Sequence, residues 1–413
     1  MYKRVVITGL GVVSSIGIGW KEFWENLLLG KSGISPIASF NTDKHFTHNG
    51  GEVKQFRADA YIPQDKLKSM SRASQMGLAA ANLAVMDANL SVDKISTMRA
   101  GVCVGTTMGS VQTVEKIDEL LVAEKKLDVS ATLVRQTQTH SSASVIAQHY
   151  NIQGPSLMFS TACAAGNYAI GYGFDMIRLN RTELFIAGGA EPISKVAFTG
   201  FNQFSAVASE KCRPFDKNRK GMMVSEGAGF VVLESLGNAL RRKATIYAEV
   251  LGYGLSCDAF HMTTSSTAGI IACMKKALWE AGVVPEQVDY ISAHGTGTIT
   301  NDRNESAAIK DVFGPRYKKV PVSSIKSMLG HTMGAASAIE AIACALAVTT
   351  DKIPPTINYE VADPECDVDC VPNTAREHRV TIALNNSYAF GGNNACLVLK
   401  KFARDGQYGN PDV

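Results

Sequence analysis

Residues 160–166 read STACAAG, a single thiol, Cys163, among side chains with almost no bulk. A packed core does not require that setting, whereas a nucleophile that substrate must approach closely does. The residues that follow, AAGNYAIGYGFDMIRL, have helical spacing. Cys163 is therefore expected at a helix N-terminus, where unpaired amides and the macrodipole favour a thiolate. Taken alone, such a cysteine also fits inert packing. Two histidines shift the balance. His294 lies in AHGTGT (293–298), where Gly295 and Gly297 let backbone come close to a ligand and Thr296 and Thr298 offer hydroxyls. His331 closes SSIKSMLGH (323–331), which also carries Lys326, and precedes a helix-like run. A fourth station is NNSYAFGGNN (385–394). A cysteine, two imidazoles and a lysine, each beside small residues, form a set suited to covalent catalysis, with room for an acyl chain.

Such a set needs rigid elements behind it. Short β-branched runs (VVITG, AGVCVGT, LFIAGGA, FVVLES, YISAHGTGT, RVTIALNNS, ACLVLKKF) alternate with helix-like segments. Apolar runs buried on both faces and interleaved with helices predict α/β layering. Two small-residue helices, 74–90 and 335–350, suit tight sandwiching between sheets. AGVCVGTT (100–107) and YISAHGTGT (290–298) occupy comparable places in two similar halves, which suggests a duplication joined near residue 250. The halves are taken as 1–250, with Cys163, and 251–413, with His294, Lys326, His331 and Phe390.

Composition narrows the function classes. A chain of 413 residues, 46% hydrophobic, can bury one large core or two packed together. With 41 basic against 38 acidic residues, it is too balanced for an obligate nucleic-acid binder. Nine cysteines without zinc-ribbon spacing predict free, buried thiols in a reducing compartment and no metal centre. The opening MYKRVVITGLGVVSSIGIGW is too interrupted by glycine and serine for a signal peptide. Its G-x-G lacks the third glycine of a dinucleotide fingerprint, since Ser14 stands there. The run 335–350 is short for a membrane span and carries Glu340. A cytoplasmic protein without membrane contact is expected.

The four stations, in this order, resemble the elongating β-ketoacyl-acyl carrier protein synthases. VVITGLGVVSSIG, AGGAE (187–191) and RPFDKNRKGMMVSEGAG (213–229) extend the likeness over nearly the whole chain. The resemblance implies a thiolase fold, two duplicated α/β halves in a five-layer αβαβα sandwich. It implies acyl transfer to Cys163, followed by decarboxylative condensation with a malonyl thioester in fatty-acid or polyketide elongation. His294 and His331 would complete a Cys-His-His triad supported by Lys326. The amides of Cys163 and Phe390 would form an oxyanion hole, with Phe390 as a gate. Thr296 and Thr298 would contact a phosphopantetheine arm. That arm belongs to the acyl carrier protein, and no permanently bound cofactor is implied. Asp302, Glu305 and Glu340 would support the site. Met108, Phe198 and Phe201 would line the acyl pocket. Lys66, Lys68, Arg72, Lys211 and Arg213 are candidates for docking an acidic carrier.

Degradative thiolases need a second catalytic cysteine, and Cys396 lies in a strand-like run instead. Priming synthases would have Asn where His331 stands, and chain-length factors usually lack the nucleophile. Three departures from the fatty-acid pattern bear on pathway. Ala389 replaces a usual glycine and should stiffen its loop, QFSAVASEKCRPFD is short and lacks a common arginine, and NNAC follows the double glycine. The partner is expected to be a second copy or a chain-length-factor-like subunit.

Overall fold

The computed structural model describes residues 2–403 apart from 124 and 126–128. Five strands build the first half: β1 (Val5–Ser14), β2 (Ala100–Gly105), β3 (Ser156–Phe159), β4 (Leu184–Glu191) and β5 (Gly227–Ser235). Five build the second: β6 (Ala248–Cys257), β7 (Tyr290–Ser292), β8 (Val322–Ser323), β9 (Ile382–Tyr388) and β10 (Asn393–Lys400). Within each half the order across the sheet is third, second, fourth, fifth, first. The first three of these run parallel and the last two pairings are antiparallel, in both halves. The sheets meet where β1 pairs with β6, Val5–Ile7 against Ala248–Val250. The segments around residues 100–107 and 290–298 are the second strand of each half and the loop that follows it.

Helices complete five layers. α1 (Arg72–Asp87) covers the outer face of the first sheet. α2 (Ala165–Arg178) and α5 (Ala336–Thr350) lie between the sheets, and α3 (Thr267–Glu280) and α4 (Ile299–Phe313) cover the second. Three apolar clusters correspond to the two outer interfaces and the middle layer. Both small-residue helices were expected between sheets. α5 lies there, but α1 is an outer helix with Met86 exposed, and the glycine-bearing α2 takes the middle place. The small residues of α1 serve another close approach: a Cβ on Gly9 or Gly11 of β1 would fall 2.1 Å from the Ala84 carbonyl oxygen or 1.9 Å from that of Ala80. The glycines of the opening G-x-G thus let a helix lie on a strand. Met333–Thr350 is apolar enough to cross a membrane by composition, yet 89% of it is buried inside the protein. All nine cysteines are free, and only Cys257 is exposed.

Candidate active site

Cys163 sits on a sharp turn between β3 and α2. Ala162 adopts a left-handed φ of 49° and opens a 3₁₀ turn, Ala162–Ala164, that runs into α2. The Ser387 hydroxyl at the end of β9 donates to the Cys163 carbonyl (2.9 Å), pinning the turn from the other half. Behind it, Asn167 and Asn385 bond each other, with Ser337 bonding both.

His294 follows β7. Its amide and that of Gly295 donate to the two oxygens of buried Glu305 (2.9 and 2.8 Å), so one carboxylate sets the loop. His331 is held by backbone: its amide donates to Met223 and its carbonyl accepts from Ser225. The rings of His294 and His331 cross at 82° with centroids 5.4 Å apart. The Cys163 sulfur and a ring nitrogen from each histidine all lie within 4.8 Å of one another. Lys326 and Glu340 form a fully buried ion pair beneath them. Asp302 accepts from the amides of Phe215 and Gly297 and lies 3.8 Å from Arg219. Asp302, Glu305 and Glu340 therefore all hold parts of this neighbourhood in place.

The electrostatics correct one expectation. A helix terminus is worth about 0.3–1 kcal/mol, under one pKa unit. Burial dominates: it pushes the Cys163 thiol up to about 12, while the Lys326 ammonium pulls it down. The resting group is the thiol. Burial, with the Lys326 charge beside it, holds both imidazoles well below the usual histidine range, so both are neutral at pH 7. His331 Nδ1 accepts from the Met333 amide (3.0 Å). A neutral His331 must then carry its proton on Nε2 and act as a donor. His294 Nδ1 is buried without a protein partner, so no neighbour sets its tautomer.

A cleft of about 530 Å³ opens over this cluster. Thr296 and Thr298 line it, their hydroxyls 2.8 Å apart, as do Phe201 and Phe390. Phe390 packs against Phe201 and Phe204, with centroids 5.8 and 6.1 Å apart. Met108 and Phe198, expected in the acyl pocket, are not on this wall. Phe198 is fully buried against Phe40 and His45, and the Met108 amide is held by Glu191. Ala389 has an extended φ of −117°, open to any residue, so the expected stiffening through lost glycine freedom does not arise there. The Arg72 guanidinium is bound to buried Glu226, with about a third of the side chain left exposed (33%). Lys211 and Arg213 both face Glu360. Lys66 and Lys68 are exposed.

Sequence reasoning missed several groups. Ser387 could have been suspected from its place in NNSYAFGG. Thr263, Thr264 and Ser265, within the run TTSS, and Thr300 and Asn301 add polar groups to the cleft. Glu191, a lone charge ending the apolar strand β4, accepts from the Thr106 hydroxyl and from the amides of Thr107, Met108 and Gly334.

Comparison with known proteins agrees with this geometry. The family model described as beta-ketoacyl synthase, N-terminal domain, matches residues 2–239, and the C-terminal domain model matches residues 247–360. The chain belongs to the β-ketoacyl synthases. It is 40% identical to a 3-oxoacyl-[acyl-carrier-protein] synthase 2 of Staphylococcus aureus (strain COL), over 97% of this chain and 99% of that one. The corresponding Synechocystis synthase is 37% identical over 97% and 98%. Among solved structures, the ishigamide ketosynthase/chain length factor superposes with a TM-score of 0.95 at 45% identity, covering 98% of this chain and all of that one. A type II polyketide ketosynthase in complex with its acyl-carrier protein gives 0.90 at 33%, covering 98% and 100%. These ketosynthases have the thiolase fold, as does this chain.

Proposed function

We propose that this β-ketoacyl synthase takes an acyl group from the phosphopantetheine thiol of an acyl carrier protein onto Cys163 and elongates it with malonyl carrier protein. The observation that carries the reading is the convergence of the Cys163 sulfur and two neutral imidazoles within 4.8 Å under an open cleft. In the first half-reaction Cys163 sulfur attacks the thioester carbonyl. The amides of Cys163 and Phe390 receive the developing oxyanion. The thiol proton passes to the departing pantetheine thiol, and His294, whose tautomer is free, carries it. In the second, the malonyl carbon–carboxylate bond breaks, CO₂ leaves, and the electron pair becomes an enolate. His331 Nε2–H donates to the enolate oxygen. The enolate carbon then attacks the Cys163 thioester and expels the thiolate, which takes a proton from water to restore the resting thiol. None of the described residues that line the cleft is charged, and the Lys326 ammonium beneath it is already paired with Glu340, so the malonyl carboxylate is desolvated there, which favours its loss as CO₂. Thr296 and Thr298 hydrogen-bond the pantetheine amides, and Phe390 gates the sulfur.

A second copy of the chain is the partner we favour. A chain-length-factor subunit is the alternative, supported by the 45% identity to the ishigamide assembly. Either could pair with β3, a sheet edge at which Ser156 and Leu157 are exposed. The test is incubation with acyl carrier protein thioester, peptide mass mapping and then malonyl carrier protein. An adduct on Cys163 that is consumed on adding malonyl carrier protein is expected. Acylation of Cys103 or Cys396 with Cys163 untouched would overturn the reading.

A further inference from the structure

Glu191 is a buried carboxylate to which the condensing steps give no task, and it bridges the two halves. On one side it clasps the loop after β2. The Thr106 hydroxyl (3.0 Å), the Thr107 amide and the Met108 amide (2.8 Å) all donate to it. On the other side the Gly334 amide, from the second half, donates to the same carboxylate oxygen as Thr106 (3.2 Å). Three of these four partners are backbone N–H groups, which cannot be reversed. Glu191 must therefore act as a pure acceptor, as an ionised carboxylate does.

Gly334 lies in the turn Met333–Ala335, just past His331. Met333 holds a left-handed φ of 50°. A methionine keeps that conformation only where its surroundings over-determine it. Here two successive amides are committed: that of Met333 donates to His331 Nδ1 (3.0 Å), and that of Gly334 to Glu191. One bond on each side of the Met333 Cα thus fixes its φ and ψ together. Removing the Glu191 bond leaves the strained residue held from one side only.

We propose that Glu191 is a positioning residue for His331: through the Gly334 amide it holds the turn that aims the Met333 amide at Nδ1, and so keeps the ring proton on Nε2. The inference rests on the condensing reading, in which Nε2–H meets the enolate oxygen. The role of one ring nitrogen is set by the bond the other makes. Once the turn relaxes, Met333 returns to an ordinary φ, its amide leaves Nδ1, and the proton is free to sit on either nitrogen. A neutral ring protonated on Nδ1 has no donor to offer the enolate. Acylation of Cys163 does not use that donor and is spared.

The test reads the tautomer itself. Nitrogen NMR of ring-labelled histidine shows which nitrogen is protonated, and the signal lost in His331→Ala assigns His331. The wild type should show a single Nε2–H tautomer at pH 7. Glu191→Gln keeps the size but turns an NH₂ group toward fixed N–H donors. His331 should then populate both tautomers, with acylation of Cys163 by an acyl carrier protein thioester preserved. Malonyl decarboxylation should fall about tenfold, less than on loss of the donor itself. Should this variant not fold, Glu191→Asp, which withdraws the carboxylate by one methylene, is read in the same way. Thr106→Val removes a donor on the loop side only and should leave the tautomer unchanged. An Nδ1–H tautomer in the wild type, an unchanged tautomer or decarboxylation rate in the Glu191 variant, equal loss of both half-reactions, or as large a loss in Thr106→Val would overturn the role. A wild type that shows the Nε2–H tautomer but neither acylates Cys163 nor decarboxylates malonyl carrier protein would overturn the condensing reading instead.

Discussion

Ala162, at φ 49°, opens a 3₁₀ turn that leads into α2; Met333, at φ 50°, opens one that leads into α5. The duplicated halves thus build the same turn twice, and the middle-layer helices spring from it. Only one copy carries a nucleophile. Cys163 stands second in the first turn, and Gly334 stands second in the other. A Cβ on Gly334 would lie 2.3 Å from the Thr106 Cα, so that position has been closed by packing against the first half. The approaches differ as well. In the first half residues 160–161 join strand to turn, whereas in the second residues 324–332 do so, and these carry Lys326 and His331. One half thus presents the thiol, and the other has spent its turn on packing and lengthened the approach to supply a donor and a charge.

Changes at the two turns should therefore differ in kind. Cys163→Ala should abolish acyl transfer while shifting the urea-derived stability by only about 1 kcal/mol; a folded variant that still becomes acylated would end the distinction. In the lengthened approach, Lys326→Met leaves Glu340 buried without its partner and should cost about 3–5 kcal/mol. A Lys326→Met/Glu340→Leu double variant should recover much of this, measured by the same denaturation. His331→Ala should reduce malonyl decarboxylation about 10²–10³-fold, with single-turnover acylation of Cys163 preserved. Equal loss of both half-reactions would place His331 in the first turn's chemistry too. Gly334→Ala should destabilise by about 1–3 kcal/mol, with Cys163 still acylated in the fraction that folds.

The smallest effect concerns pH. Both imidazoles are depressed below 6.5 by burial and by Lys326. Below that value the unfolded chain binds protons that the folded one refuses, so stability falls as pH falls through 6.5. The urea midpoint of the wild type should drop more between pH 7 and 5.5 than that of His331→Ala. Decarboxylation should persist below pH 6.5, since neutral His331 is the active form. A rate that halves at pH 6.5 would show that the ring is not depressed.

Much of the site was legible because its residues combine reactive types with small neighbours. Cys163, His294 and His331 do converge, and Thr296, Thr298, Phe201 and Phe390 do share the cleft. Asp302, Glu305 and Glu340 looked like support, and each binds amides or a cation there. Relations that need distance were not legible. Arg72 reads as an unpaired surface charge until Glu226, far away in sequence, is seen to hold it. Phe198 lies near Phe201 in the chain, yet one turn of helix sends it into a buried cluster instead of the cleft.

The layered α/β class and the identity of the reactive groups follow from short stretches of sequence. Strand and helix periodicity are local, and a cysteine or histidine keeps its chemistry wherever the chain puts it. Their protonation, by contrast, depends on long-range packing. Desolvation of Cys163, His294 and His331, and the amide that sets the His331 tautomer, arise from segments that are distant in the chain or buried around them. The same holds for which of two equivalent turns keeps a side chain, because Gly334 is closed by a strand end more than two hundred residues earlier.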